Sequence, residues 1–159
     1  MGQLTWSMRS FAELSNQELY EICAARQEVF VVGQKISYID CDGKDQQAWH
    51  IQGRQAETQE LVAYLRILPP GLKHRYHTIG RVLIRPEYRG QGFGHELMRH
   101  ALAFANQAFG DIMMAMAAQS YLEAFYQFHG FVTVSDTFLE EGIQHVMMEG
   151  PSQALAKNP

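Results

Sequence analysis

Arg89-Gly90-Gln91-Gly92-Phe93-Gly94 is the stretch on which the fold turns. It follows a strand-like run, Thr78 to Ile84, and opens a helix-like run, Gly92 to Ala108. A glycine-rich turn between strand and helix aims several backbone N–H groups at one point. That point lies at the positive end of the helix dipole, so it suits an anion. Glycine lets a ligand approach the backbone because no Cβ stands in the way. The spacing R-x-x-G-x-G narrows the choice. A P-loop would end in Lys-Ser/Thr, which this stretch lacks. A dinucleotide fingerprint would need a third glycine at position 95, where the chain has His95. Taken alone, the stretch also reads as an ordinary tight turn with a glycine cap.

Charge around the turn favours the anion. Residues 73 to 99 carry six basic and two acidic residues, a net of +4, while the rest of the chain carries seven basic and fifteen acidic, a net of −8. A basic island on an acidic protein steers a polyphosphate inward, although small clusters also arise on solvated faces. The overall net charge of −4 argues against nucleic acid as the main partner. At 159 residues, 47% hydrophobic and 19% charged, the chain has material for one folded domain with a real core, read as residues 1–150 with a frayed tail over 151–159. No apolar run reaches membrane-span length. No secretory pattern opens the chain, and Trp6 stands where a myristoylation signal wants Ser or Thr. Cys23 and Cys41 are too few for a disulfide framework and read as reduced thiols of a cytoplasmic protein.

The elements follow from periodicity and punctuation. Leu4 to Met8 reads as a first strand. Ser15-Asn16-Gln17-Glu18 is a capping box that starts a helix to about Val32, with Leu19, Ile22, Cys23, Arg26, Val29 and Phe30 on one face and Gly33 as its stop. Residues 35–46 form an acidic loop. Ala48 to Gly53, Leu61 to Leu68 and Thr78 to Ile84 read as strands, and Leu97, Met98, Ala101, Leu102, Ala105 and Phe109 stripe the helix after the glycine turn. Ile112 to Ala118 is wholly apolar, as an interior strand would be. Strand, helix, strand in this order predicts parallel neighbours. Ser120-Tyr121-Leu122-Glu123 reads as a second capping box, opening a short helix that Gly130 ends with Phe131 packing back. Phe131 to Val134 and Gln144 to Glu149 read as the last strands.

The second informative string is Phe125-Tyr126-Gln127-Phe128-His129-Gly130-Phe131. By composition alone it is an aromatic core face with its phenol bonded to backbone. Paired with R-x-x-G-x-G, in this order and on these elements, it resembles the F-Y-x-x-x-G-F string of the GNAT acetyltransferase superfamily. Finer strings resemble one branch, the ElaA-like acetyltransferases: Arg26-x-x-Val29-Phe30-Val31-Val32-x-Gln34, Tyr38-x-Asp40-x-Asp42-Gly43-x-Asp45, His50-Ile51, Ala63-Tyr64-x-Arg66-Ile67-Leu68, Ile79-Gly80-Arg81-Val82, Ala118-Gln119 and Glu141-Gly142-Ile143-x-His145. The resemblance runs from about Phe11 to Glu149. Two positions depart from it. Gly33 stands where the branch usually has Glu, and Gln119 stands where many superfamily members carry Asn.

The resemblance implies an α/β fold, a GNAT-like mixed, strongly twisted sheet with helices on both faces. It implies acetyl-CoA as cosubstrate, with its pyrophosphate over Arg89, Gly90, Gln91, Gly92, Phe93 and Gly94. Its pantetheine arm and acyl carbonyl would meet the backbone of Val82, Leu83 and Ile84, with Gln119 nearby. Backbone N–H groups beside a distorted strand can stabilise an oxyanion. A phenol stays protonated at neutral pH and can protonate a leaving thiolate, a role that fits Tyr126. For the base, His50 and His145 are candidates because imidazole titrates near neutrality. Each sits in a strand, where a hydrogen-bonded structural histidine is the more common finding.

Tyr38, Asp40 and Asp42, with Asp45, make up an acceptor site that could attract a cationic amine, although Asp-Gly clusters are more often plain turns. Their D-x-D-G-x-D pattern lacks the distal Glu of a calcium loop, and His74, His77, His95 and His100 have no zinc partners, so they read as surface residues and no metal is expected. The expected activity is N-acetyl transfer to a primary amine, small molecule or peptide, with neither nucleic acid nor membrane as partner and a homodimer left open. A non-catalytic acyl-CoA sensor, a protein lysine or N-terminal acetyltransferase, and an unrelated nucleotide-binding domain remain as alternatives.

Overall fold

The computed structural model describes residues 2–153. Eight strands form one sheet: β1 (Leu4–Ser10), β2 (Trp49–Gln55), β3 (Leu61–Leu68), β4 (His77–Ile84), β5 (Met113–Gln119), β6 (Val132–Thr133), β7 (Phe138–Glu140) and β8 (Ile143–Pro151). Their order is β1-β2-β3-β4-β5-β8-β6, with β7 also paired to β8. β4 and β5 are parallel and all other pairs are antiparallel, which makes the sheet mixed. The longest helix, α2 (Phe93–Phe109), links the parallel pair and buries Leu97, Met98, Ala101, Leu102 and Ala105 against one face of the sheet. On the other face, Ile22 and Ala25 of α1 (Asn16–Arg26) pack with Val29 against Leu61, Tyr64 and Leu83. β3 lies between the two layers and is buried along its whole length. The expected GNAT-like architecture, with helices on both faces, is therefore what the chain adopts.

The Ser15 box forms as read: Ser15 Oγ accepts from the Glu18 N–H at 3.0 Å, and Glu18 accepts from the Ser15 N–H at 2.8 Å. The helix it starts does not stay α-helical to Val32. Over Gln27–Val32 it widens into a π-turn, closed by the Gly33 N–H bonding back to Glu28 O at 2.8 Å. Gly33 is not a left-handed cap. A Cβ there would sit 2.8 Å from Val29 O, so close backbone approach is what excludes a side chain. The box read at Ser120 does not form either. Residues Ser120–Leu122 are a tight 3-10 turn and α3 (Glu123–Phe128) starts after it. Glu123 instead bonds the Thr133 hydroxyl on β6. The other end of α3 is as expected. Gly130 is left-handed (φ 94°), its N–H bonds Gln127 O at 3.0 Å, and the Phe131 N–H bonds Tyr126 O at 3.2 Å, the paired bonds of a Schellman cap.

Two segments go beyond the sequence reading. Phe138–Glu140 is a strand, turned into β8 by Glu141 (φ 50°) and Gly142 (φ 76°), both left-handed as a two-residue hairpin turn requires. β8 also continues to Pro151. Beyond it the Ser152 hydroxyl donates to Gly110 O at 2.9 Å and accepts from the Ile112 N–H at 3.1 Å. The rest of the expected tail, residues 154–159, lies outside the described residues.

Candidate active site

β4 and β5 pair only at His77↔Met114 and Thr78↔Ala115, then diverge. The cause lies in β4. Its register against β3 shifts between Tyr64 and Arg66, and opposite that shift Arg81 takes a left-handed backbone (φ 53°). An extra residue in one strand bends it away from its neighbour. The divergence opens a cleft of about 840 Å³ between Gly80–Ile84 on one side and Met116–Gln119 on the other.

One part of the cleft is built by the glycine turn and α3. Arg89 and Gly94 line it, with Val82, Leu83, Ile84, Gln119, Phe125 and Tyr126. Gly90 (φ 78°) and Gly92 (φ 85°) are left-handed, and a Cβ on either would meet no protein atom within 4 Å. Glycine is thus required there by backbone conformation and leaves the turn open to a ligand. Gly92 caps α2 without a side chain, so the first N–H groups of the helix carry no side-chain cap. The Phe93 ring is buried in the core, so only its backbone can serve the turn. Arg89 Nε donates to Ile84 O at 3.1 Å, which ties the turn to the end of β4. A Cβ on Gly94 would stand 3.5 Å from the Phe125 ring, so the two sequence motifs meet. Tyr126 is 4% exposed, and burial pushes its phenol well above the usual tyrosine range. Among the described residues its hydroxyl makes no hydrogen bond, so the expected backbone bond of a core tyrosine is missing.

The remaining lining comes from Glu28 and Phe30 of the π-turn, Tyr38, Asp42 and Arg81, and from Glu140 and His145 of the β7–β8 hairpin. His145 pairs across the sheet with Gln119 and Phe138. Its Nδ1 lies 2.7 Å from Ile143 O, which assigns the proton to Nδ1 and leaves Nε2 as acceptor. Nε2 lies 3.7 Å from Glu140 Oε2. His50 is placed elsewhere. It is fully buried and does not line the cleft. Its Nε2 lies 2.9 Å from Asp45 O and its Nδ1 2.7 Å from the Tyr64 hydroxyl. Burial lowers its pKa, so it is a neutral core histidine and the reading of His50 as a base is corrected.

The acidic loop is likewise already neutralised. Arg26 Nε reaches Asp40 Oδ2 at 2.8 Å and its Nη1 reaches Asp45 Oδ1 at 2.6 Å. Arg66 grips Asp42 through both terminal nitrogens, at 2.8 and 2.6 Å, and Asp45 at 2.8 Å. Arg81 Nε lies 2.7 Å from Asp40 Oδ1, so the network also holds the bulge. Burial alone would raise the Asp42 carboxyl, but Arg66 outweighs it and holds the group well below the carboxylate range. Asp40 does not line the cleft, and Tyr38 spends its hydroxyl on Asp40 at 2.9 Å. Of the expected acceptor-site residues, Tyr38 and Asp42 reach the cleft, and both are committed to the network. The three arginines answering the three aspartates were the signal to read, since each stands in a string quoted above. Neither His77 nor His100 is a free surface residue: His77 stacks on Phe109 (4.3 Å between ring centroids) and His100 on Trp6 (4.8 Å). Among the described residues no cluster of three or more His, Cys, Asp or Glu could hold a metal, and no helix is long and apolar enough to cross a membrane.

Comparison with known proteins agrees with this geometry. Residues 45–150 match the model of the GNAT acetyltransferase domain. Protein ElaA of Escherichia coli is 36% identical over 147 residues, covering 91% of this chain and 95% of that protein. A crystal structure of an acyl-CoA N-acyltransferase from Pseudomonas aeruginosa superposes with a TM-score of 0.88 at 38% identity, over 93% of this chain and 99% of that one. The crystal structure of Escherichia coli ElaA gives 0.86 at 35% identity, over 93% and 99%. The parted parallel strands, the glycine turn on α2 and these relatives together place the chain in the GNAT family of acyltransferases.

Proposed function

We propose that this chain transfers an acetyl group from acetyl-CoA to a primary amine by direct attack. The observation that carries the reading is that Arg89 and Gly94 of the glycine turn, the bulged strand, a phenol unbonded among the described residues and a histidine with an acceptor Nε2 line one cleft. The donor fits the residues present: left-handed Gly90 and Gly92 keep the turn open, and the first N–H groups of α2, without a side-chain cap, suit an anion. When bound, acetyl-CoA supplies a thioester carbonyl and a thiolate leaving group.

The chain's own residues do the rest. β4 backbone around Val82, Leu83 and Ile84 aligns the acyl arm and stabilises developing negative charge on the carbonyl oxygen. His145 Nε2 takes the proton from the amine as the C–N bond forms, and the Glu140 carboxylate steadies the resulting imidazolium. Tyr126 gives its proton to the sulfur as the C–S bond breaks, and burial keeps that phenol protonated until then. Acceptor specificity falls to Glu28, Phe30 and the β7–β8 hairpin, because the aspartates of the loop are spent on arginines. The test is thiol release from acetyl-CoA across polyamines, amino acids, aminoglycosides and lysine peptides. Release with one class, lost in Tyr126→Phe, supports the reading. Tight acetyl-CoA binding with no release on any amine would make the chain a sensor.

A further inference from the structure

The chain has two cysteines, and the fold brings them together. Cys41 Sγ lies 3.8 Å from Cys23 Sγ. Cys23 is half-buried on α1 and Cys41 is exposed. Cys23 stands three residues before Arg26, so both point from one helix face toward the same loop. The residues flanking Cys41 are fixed by ion pairs: Asp40 to Arg26 at 2.8 Å and Asp42 to Arg66 at 2.6 Å. The arginine network thus holds the two thiols in contact and favours their reaction with each other over a thiol from solution.

We propose that Cys23 and Cys41 are a thiol-oxidation site, closing to a disulfide that fastens the Asp40–Asp42 segment to α1. The co-reactant is a peroxide. Exposed Cys41 attacks it, takes one oxygen to become a sulfenic acid, and water leaves. The Cys23 sulfur then attacks the Cys41 sulfur. The S–S bond forms, the S–O bond breaks, and hydroxide departs with the Cys23 proton as a second water. Burial, reinforced by the neighbouring Cys41, pushes the Cys23 thiol up to about 11, which keeps it slow toward peroxide, and its contact with Cys41 at 3.8 Å is what makes it the resolving partner. Asp42 of the fastened segment lines the cleft, as does Tyr38 just before the segment, so the bond acts on one wall of it. This inference does not depend on the acetyl-transfer reading.

The test starts from reduced, full-length protein freed of reductant and exposed to hydrogen peroxide. After alkylation, intact mass and peptide mapping should show both thiols lost together in one linked peptide, with dithiothreitol restoring them. Cys23→Ser should leave Cys41 as a sulfenic acid trapped by dimedone. Hydrogen exchange across residues 36–45 should slow in oxidised wild type and stay unchanged in Cys23→Ser treated alike. Two thiols that remain alkylatable, or that oxidise separately without a link, would overturn the site. A disulfide with unchanged exchange in the loop would overturn the fastening.

Discussion

Tyr126→Phe deletes one oxygen and keeps the ring that Phe125 packs against edge-on. With no hydrogen bond to lose among the described residues, folding stability should hold within about 0.5 kcal/mol. Loss of the general acid should lower kcat by about 10²- to 10⁴-fold. A steady kcat would make the phenol a core aromatic and leave the sulfur to water. His145→Gln preserves a polar side chain and removes the ring nitrogen that takes the amine proton. At limiting amine the rate should fall by about 10²- to 10⁴-fold while acetyl-CoA affinity holds, and an undiminished rate would leave proton removal to water. His50→Gln is the control. His50 sits outside the cleft with both ring nitrogens bonded, so its replacement should cost stability and leave the rate per folded molecule in place. From sequence these two histidines are equivalent, each in a strand near polar neighbours. What separates them is which strand face meets the core, and that depends on residues far away in the chain.

Among the elements, the glycine turn carries the sharpest expectation. Gly92→Val forces a β-branched residue into a left-handed backbone (φ 85°), at a cost of about 1–3 kcal/mol. It also shields the first N–H groups of α2. Calorimetry should find acetyl-CoA affinity greatly reduced while circular dichroism remains native, and undiminished affinity would remove the turn from the donor site. The turn was legible because its signal is contiguous: strand, glycines, striped helix. The π-turn was not, because Gln27–Val32 has the apolar spacing of an ordinary helix and its widening shows only in backbone bonds such as that of Gly33 to Glu28. It matters because it brings Glu28 and Phe30 to the cleft. The β7 strand is hidden in the sequence for a different reason. Three residues are too few for period-two alternation, and Glu141-Gly142 is a weaker turn signature than Asn-Gly.

At the scale of the whole molecule, the arginine–aspartate network joins α1, the acidic loop, β3 and the β4 bulge. Arg26→Met leaves Asp40 with Arg81 and Asp45 with Arg66, so urea unfolding should report a loss near the low end of a broken buried pair, about 3 kcal/mol. The network also sets a pH dependence. Asp42 and Asp45 have folded pKa values below the ordinary carboxylate range, as arginine contacts outweigh burial. A depressed carboxylate contributes stability that is complete above its unfolded pKa and is lost as pH falls through the folded value. Melting temperature should therefore fall steeply only below about pH 4. Asp45→Asn should start lower and descend less. An equal slope in the variant would show that other carboxylates govern acid unfolding.

The sequence by itself determined most of the elements and the family. The Ser15 cap, the Gly130 stop, the stripe of α2 and the turn at Arg89–Gly94 are all written in neighbouring residues, because caps, φ restrictions and helical periodicity act over a few positions. The tertiary structure decided what each polar side chain is for. Asp40 and Asp42 look like an open acidic loop until Arg26, Arg66 and Arg81 close on them across 14 to 41 residues of chain. It also set His145 in the cleft, His50 in the core, and Cys41 against Cys23. Burial and ion pairing belong to a side chain's neighbours in space, and those neighbours exist only once the sheet has assembled.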